Sequence, residues 1–424
     1  MKTKKKLAIV SSYNEMCGNA TYAEVLRKAF MKHFEVEVIP LNVRLLKETH
    51  KKLKKLGDES IQELAKKLRQ FDYVNIQFEA GLFGSHPKQV VKRFKTLAKN
   101  SKNLLTTIHR YDHNVAIVGK SVLKDLANFA IRNAVKKTVN HLKQRYFAKM
   151  YEKVIKACIK NKSGIMVHTK RESFLISKTF NYAYVYDHPI TFLKQHEFEQ
   201  YQAQISRSGF LKTYGLSDTD TLLGIFGFIA DYKGYYTLFQ AMRFLPENYK
   251  LLVFGSQHPG SIQQNELVDI SIEKLLDIIE QDNEKKLRSK KHVDISCDLK
   301  SRIKFAGSLD DDDFIKAIMS CDINVLPYLE TNQSGSGVAA LTLDSKANAI
   351  FSMNYSFMEL SKYAPGCFRM FSIGNYMELA ECIKQAKAKP IQALNEYGQK
   401  YNVDTNIALH LKVFDQIDAL KLQR

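Results

Sequence analysis

Twelve short apolar runs, each followed by a longer stretch of helical pattern, limit the fold of this chain more than any other feature. In the first half they are Leu7 to Val10, Val36 to Ile39, Tyr73 to Gln77, Leu104 to Ile108, Gly164 to His168 and Ala183 to Tyr186. In the second half they are Leu222 to Phe226, Tyr249 to Phe254, Ile303 to Phe305, Ile323 to Leu326, Ala349 to Phe351 and Cys367 to Phe371. Runs this short and this rich in Val, Ile, Leu and Phe read as buried strands. Their alternation with helices implies parallel sheets with helices on both faces, an α/β class of fold. The 424 residues exceed one ordinary domain, and the polar run KQHEFEQYQAQISRSGF separates the two sets of strands. Two doubly wound domains are expected, 1-205 and 206-395, with a helical segment, 396-424, after them.

Charge divides along the same line. Residues 1–210 hold 40 basic and 17 acidic side chains, net +23, and residues 211–424 hold 24 and 27, net −3. An excess confined to one half argues against a uniformly basic, nucleic-acid-coating protein, and no nucleic-acid-binding module accompanies it. No nucleic-acid partner is expected. With 25 Phe and 21 Tyr against 8 Pro and 19 Gly, the chain has ample core-forming material and is not a disordered one. The six cysteines are scattered, without a C-x-x-C pair or His at zinc spacing, and read as free thiols of a reducing compartment. The apolar run behind the N-terminal lysines is shorter than the about 7 residues of a signal peptide. No stretch approaches the roughly 18 apolar residues of a membrane span. A cytoplasmic protein, soluble or peripheral to a membrane, is the expectation.

The segment Lys120 to Lys162 carries 12 Lys and Arg with only Asp125 and Glu152 as acids. Its apolar residues Val122, Leu126, Phe129, Val135, Val139, Leu142, Tyr146, Met150, Val154 and Cys158 fall near helical spacing. Two readings are open: the stripe packs on the domain core, or it docks on an anionic bilayer, where each basic residue contributes about 1 kcal/mol. The polar excursion Ser256 to Asp298 reads as an insertion between two strands.

Several turns carry groups suited to a phosphate. After the first strand, Ser11 and Ser12 lead into Asn14-Glu15-Met16-Cys17-Gly18-Asn19, which opens a helix. A glycine there lets a ligand approach the free amides of the helix start. The full G-x-G-x-x-G of a nicotinamide-binding turn is absent, which disfavours a dehydrogenase. In the second half, Gly224-Ile225-Phe226-Gly227 ends a strand, and Lys233-Gly234 precedes the next helix. A lysine at the ligand edge of a parallel sheet suits a diphosphate. The turn Glu330-Thr331-Asn332-Gln333-Ser334-Gly335-Ser336-Gly337-Val338 then offers backbone amides as an anion nest before an apolar helix. Four successive carboxylates, Asp310 to Asp313, read as helix-start acids complementing the dipole and not as a metal site.

IFGFIADYKGYYTLFQAMRFLP, KLLVFG, IKFAGSLDDDDF and CDINVLPYLETNQSGSGV, in this order, resemble the C-terminal half of glycosyltransferase family 4. VSSYNEMCGNATYAEVL, VNIQFEAGLFG, LLTTIHRYDH and GIMVHTKRESFL are similar to its N-terminal half, so the resemblance spans nearly the whole chain. It implies the GT-B fold, two Rossmann-like domains facing across a cleft, with the last helix crossing back to the first. It further implies a retaining transfer from a nucleotide-sugar donor, UDP- or GDP-linked, to a glycan or lipid-linked glycan, with no cofactor and no metal.

Carried over residue by residue, the resemblance places Gly18 and Asn19 beside the donor diphosphate and Lys233 on it. Gly227, Gly255, Ser334, Ser336, Gly337 and Val338 would complete the donor side, and Glu330 would meet sugar or ribose hydroxyls. His109 matches the histidine near the reacting sugar carbon, with Glu79 and Arg110 toward the acceptor. His109, Lys233 and Glu330 are thus the expected catalytic set. A hydrogen-bonded structural histidine is the other reading of His109. The sequence departs from the family at two points. A second glutamate eight positions on is replaced by Val338 or, in the later register, Leu341, and an arginine before the Lys-Gly pair is replaced near Phe228. A noncatalytic sugar-nucleotide-binding subunit on the same fold therefore stays open beside the enzyme.

Overall fold

The computed structural model describes residues 4–15, 17–111, 122, 125, 127, 128, 130–257, 272–280, 299–331 and 333–422. It divides into two compact units, Met1–His188 with Val403–Arg424, and Pro189–Asn402.

In the first unit six parallel strands, β1 (Lys6–Ser11), β2 (Glu35–Pro40), β3 (Tyr73–Phe78), β4 (Asn103–Ile108), β5 (Gly164–Val167) and β6 (Val185–Asp187), lie in the order β2-β1-β3-β4-β5-β6. Leu7 to Val10 are fully buried because β1 has a strand on each side and helices on both faces, whereas the edge strands β2 and β6 stay partly exposed. The core gathers Val10, Ile76, Phe78, Phe94, Leu104 and Val154.

The last helix, Val403–Leu422, belongs to this unit and packs on β4, β5 and the Gly18–Phe30 helix. A Cβ on Gly164 would stand 2.4 Å from Val413 Cγ1, so only glycine lets this helix lie against β5. Phe414 then meets Tyr73 at 4.8 Å and Phe34 at 6.0 Å between ring centroids, and its full burial contributes about 2–3 kcal/mol.

The long helix Ile131–Lys160 divides the apolar stripe read from the sequence. Met150, Val154 and Cys158 are buried in the core, as is Tyr151. Ile131, Val135, Val139 and Leu142 are between 43% and 61% exposed. The single stripe is thus corrected to two: among the described residues Met150, Val154 and Cys158 join the first unit's core, and Ile131, Val135, Val139 and Leu142 do not. Leu126 and Phe129 lie outside the described residues.

In the second unit β7 (Thr221–Phe226), β8 (Tyr249–Phe254), β9 (Ile303–Gly307), β10 (Ile323–Leu326), β11 (Ala349–Ser352) and β12 (Arg369–Phe371) form a parallel sheet in the order β12-β11-β10-β7-β8-β9. This order reverses between β7 and β10, the switch point at which open α/β sheets receive ligands. All twelve apolar runs thus form strands, six to a sheet.

The unit begins at Pro189 and not near residue 206. Asp344 accepts hydrogen bonds from the amides of Phe192 (2.6 Å) and Leu193 (3.2 Å) and from the Thr191 hydroxyl (3.1 Å), which ties this stretch to the second sheet's helices. At the other end the helix Ile391–Lys400 packs on Gly337–Asp344, so the return to the first unit starts at Val403 and not at residue 396.

Asp310 caps the helix Asp311–Ser320 by accepting from the Asp313 amide at 2.8 Å, with three further acids in the first turn. Of the excursion 256–298, Leu275 and Ile279 pack into the second core, and most of the rest lies outside the described residues. Cys17, Cys158, Cys321, Cys367 and Cys382 are free, and Cys297 lies outside the described residues. Among the described residues no helix is long and apolar enough to cross a membrane.

Candidate functional site

In the second unit Lys233 ends a short 3-10 turn, Asp231–Lys233, between β7 and the Tyr235–Met242 helix. Gly234 adopts φ +70°, and a Cβ there would stand 1.8 Å from the Pro327 carbonyl oxygen, so the turn requires glycine. The lysine side chain is 5% exposed. Its ammonium donates to the Phe226 carbonyl at 3.2 Å and to the Tyr328 hydroxyl at 2.7 Å. Both partners are neutral oxygens, and no carboxylate lies within ion-pair distance of it among the described residues. Burial holds its pKa below that of an ordinary lysine and raises that of the Tyr328 phenol, which a hydrogen bond with Ser336 moderates.

The glycines around it bring backbone close to the ammonium. Gly227 has φ +93°, and a Cβ on it would meet Lys233 Nζ at 2.6 Å and Val338 Cγ2 at 3.4 Å. A Cβ on Gly255 would stand 2.1 Å from the Gly227 carbonyl oxygen. Ser336 caps the Gly337–Asp344 helix by accepting from the Ala339 amide at 3.3 Å. Gly227, Lys233, Gly255, Ser336 and Val338 therefore converge at the β7/β10 switch. Ser334 is buried in the same turn, and Gly337 starts the helix. Glu330 is exposed, and its carboxylate accepts from the Tyr355 amide at 2.8 Å.

In the first unit the expected residues lie at the corresponding carboxyl edge. Gly18 opens the Gly18–Phe30 helix behind Cys17, which makes no side-chain cap, and space around Gly18 is open to 4 Å. Asn19 follows it, half-buried, and its carbonyl lies 3.4 Å from the Ser11 hydroxyl. Glu79 precedes the Ala80–Phe83 turn after β3. His109 and Arg110 follow β4, the His109 amide donating to the Phe78 carbonyl at 3.0 Å.

Both ring nitrogens of His109 have protein partners. Nε2 is 2.7 Å from the Gln77 side-chain oxygen Oε1, whose amide nitrogen donates to Asn75 Oδ1, and Nδ1 is 3.1 Å from His168 Nε2. Tyr22 stands edge-on to both rings, at 5.6 Å and 5.9 Å. Burial first, and the neighbouring His168 second, hold His109 well below the usual histidine pKa, so it is a neutral imidazole near pH 7.

Gln77, His168, Tyr22 and Tyr328 were not singled out from the sequence. The signal was a polar residue at or near the end of an otherwise apolar strand, as in VNIQF, GIMVH and INVLPY. Among the described residues no three His, Cys, Asp or Glu side chains cluster as a metal site.

No family model matches the sequence, and no curated protein matches it. Solved structures match the fold across the chain. HepE from Anabaena in complex with UDP superposes with a TM-score of 0.61 at 14% identity, over 96% of this chain and 99% of that one. Sucrose-phosphate synthase from Thermosynechococcus elongatus gives 0.61 at 14%, over 99% of each. A UDP-forming trehalose-phosphate synthase from Burkholderia xenovorans gives 0.65 at 10%, over 98% of this chain and all of that one. The fold is that of GT-B glycosyltransferases.

Proposed function

We propose that this chain is a glycosyltransferase of family 4 type that moves a sugar from a UDP- or GDP-linked donor to a glycan or lipid-linked glycan, with retention of configuration. The observation that carries the reading is Lys233, a buried ammonium at the sheet's switch point with only neutral oxygens as partners. A charge so placed is costly unless an anion completes it, and a diphosphate is the anion this edge of the fold suits. HepE, which shares the fold, binds UDP.

In this reading Lys233 and the amides of Ser336, Gly337 and Val338 take up the charge that builds on the departing nucleoside diphosphate, without a metal. Gly227 and Gly255 leave room for it, Ser334 and Glu330 meet donor hydroxyls, and Gly18 and Asn19 supply helix-start amides. His109 meets the transferred sugar as a neutral, oriented imidazole and not as a nucleophile, while Glu79 and Arg110 serve the acceptor.

The proposed place of action is an anionic membrane surface on the cytoplasmic side. Ile131, Val135, Val139 and Leu142 recur at helical spacing on an exposed face; Asp125 pairs with Lys137 at 2.6 Å, and no acid stands between Asp125 and Glu152 in the sequence beside Arg132, Lys136, Lys143, Arg145 and Lys149.

A panel of UDP-, GDP-, ADP- and CMP-sugars, read by nucleotide release and by calorimetry, tests the reading. Release from one donor class is expected; neither binding nor release from any would sink it. Binding without release, even with acceptor supplied, would favour the noncatalytic subunit that the missing second glutamate suggests.

A further inference from the structure

His168 Nδ1 lies 3.1 Å from the main-chain carbonyl oxygen of His188. A carbonyl only accepts, so Nδ1 carries the ring proton. The ring is 4% exposed, and burial brings its pKa down to about 4, so near pH 7 it holds no second proton. Its Nε2 is then a lone pair, and this lone pair faces His109 Nδ1 at 3.1 Å. Two lone pairs do not face each other stably, so His109 Nδ1 must be the donor.

We infer that His168 is a positioning residue that fixes His109 in the Nδ1-protonated tautomer and so leaves Nε2 as the lone-pair end of the ring. The consequence reaches Gln77, whose Oε1 stands 2.7 Å from Nε2 while its NH2 group donates to Asn75 Oδ1. A lone pair there requires the Gln77 amide, and the Asn75 amide bonded to it, to be turned over, which exchanges O and N without changing either side chain's outline; the His188 main-chain carbonyl has no such alternative and fixes the direction of the chain of hydrogen bonds. Resting on the reading of His109 as the residue that meets the transferred sugar, the tautomer sets what it recognises. A sugar hydroxyl that displaces the amide donates its hydrogen to Nε2, so the site selects a sugar whose hydroxyl reaches Nε2 over the analogue deoxygenated at that position.

Long-range 1H–15N NMR of histidine-labelled full-length protein near pH 7.5 reports which ring nitrogen bears the proton. Wild type is expected to show His109 protonated on Nδ1. His168→Gln, whose amide oxygen replaces the accepting nitrogen, is expected to keep that tautomer, and His168→Leu to lose it. With the donor found by the panel, kcat is expected to fall about tenfold or more in His168→Leu and to recover in His168→Gln, as for other enzymes whose histidine is held in one tautomer. A wild-type His109 protonated on Nε2, or an unchanged tautomer in His168→Leu, overturns the inference; the wild-type spectrum alone decides it should the leucine variant not fold. If the spectra are as expected while wild type turns over no donor, the tautomer stands and the glycosyl-transfer reading falls.

Discussion

The Asn406 side-chain amide donates to the Tyr22 hydroxyl at 2.9 Å, linking two residues 384 positions apart in the chain. Tyr22 in turn walls the His109 and His168 rings. The final helix is therefore a support for the imidazole pair and not only a cover for the sheet.

Asn406→Ala leaves the buried Tyr22 hydroxyl without this donor. A loss of about 1–3 kcal/mol in urea unfolding is expected. Turnover should also fall, because the ring that packs on His109 loses one of its restraints. An unfolding curve that superposes on wild type would remove the supporting role.

Lys233→Met deletes the buried ammonium. Removing the positive charge from the leaving diphosphate is expected to lower kcat by about 10²–10³-fold. The urea midpoint should hold near wild type or rise, since a buried charge among neutral partners is itself unfavourable. Wild-type turnover in this variant would withdraw Lys233 from the site.

Two glycine substitutions separate fold from ligand. Gly227→Ala forces a Cβ to 2.6 Å from Lys233 Nζ at a φ of +93°, and should cost about 1–3 kcal/mol of stability as well as donor affinity. Gly18→Ala meets nothing within 4 Å and should leave the unfolding midpoint unchanged. Weaker donor binding by Gly18→Ala, measured by calorimetry, then reports a ligand beside that helix start. Unchanged affinity would remove Gly18 from the donor contacts.

Asp344 predicts a pH dependence within the second unit. Burial pushes its carboxyl up to about 7, against hydrogen bonds from Phe192, Leu193 and Thr191 that work the other way. An unfolded aspartate titrates near about 3.9. Between these values the folded group keeps a proton that the unfolded chain has released, so its contribution is present below pH 4 and is lost as pH rises to about 7. The slope is at most about 1.4 kcal/mol per pH unit. Urea unfolding at pH 5 and pH 7.5 should show a steeper loss in wild type than in Asp344→Asn; parallel losses would contradict the assignment.

Charge reversal at Lys136 and Lys143 together with Val139→Ser tests the exposed helix face. Cosedimentation with vesicles rich in phosphatidylglycerol should fall in the variant, and nucleotide release from a soluble donor should not. Wild-type binding indifferent to anionic lipid content would end the membrane proposal.

The twelve strands were legible in the sequence because each is a short apolar run bounded by polar turns, and burial on both faces imposes that pattern locally. The glycines and the lysine after β7 were legible for a similar reason, as a turn with positive φ leaves its mark in neighbouring residues. Partnerships were not. Gln77, His109 and His168 come together because parallel pairing of β3, β4 and β5 aligns their carboxyl ends, and register is a tertiary choice that a single run does not encode. Likewise the helical period of residues 131–160 fixed a helix but not which turns join the core, so one stripe became a buried half and an exposed half. The unit's first residue was decided by Asp344, whose hold on residues 191–193 exists only once the chain has closed over more than a hundred positions. Local apolar period set the elements; contacts distant in the chain set the site.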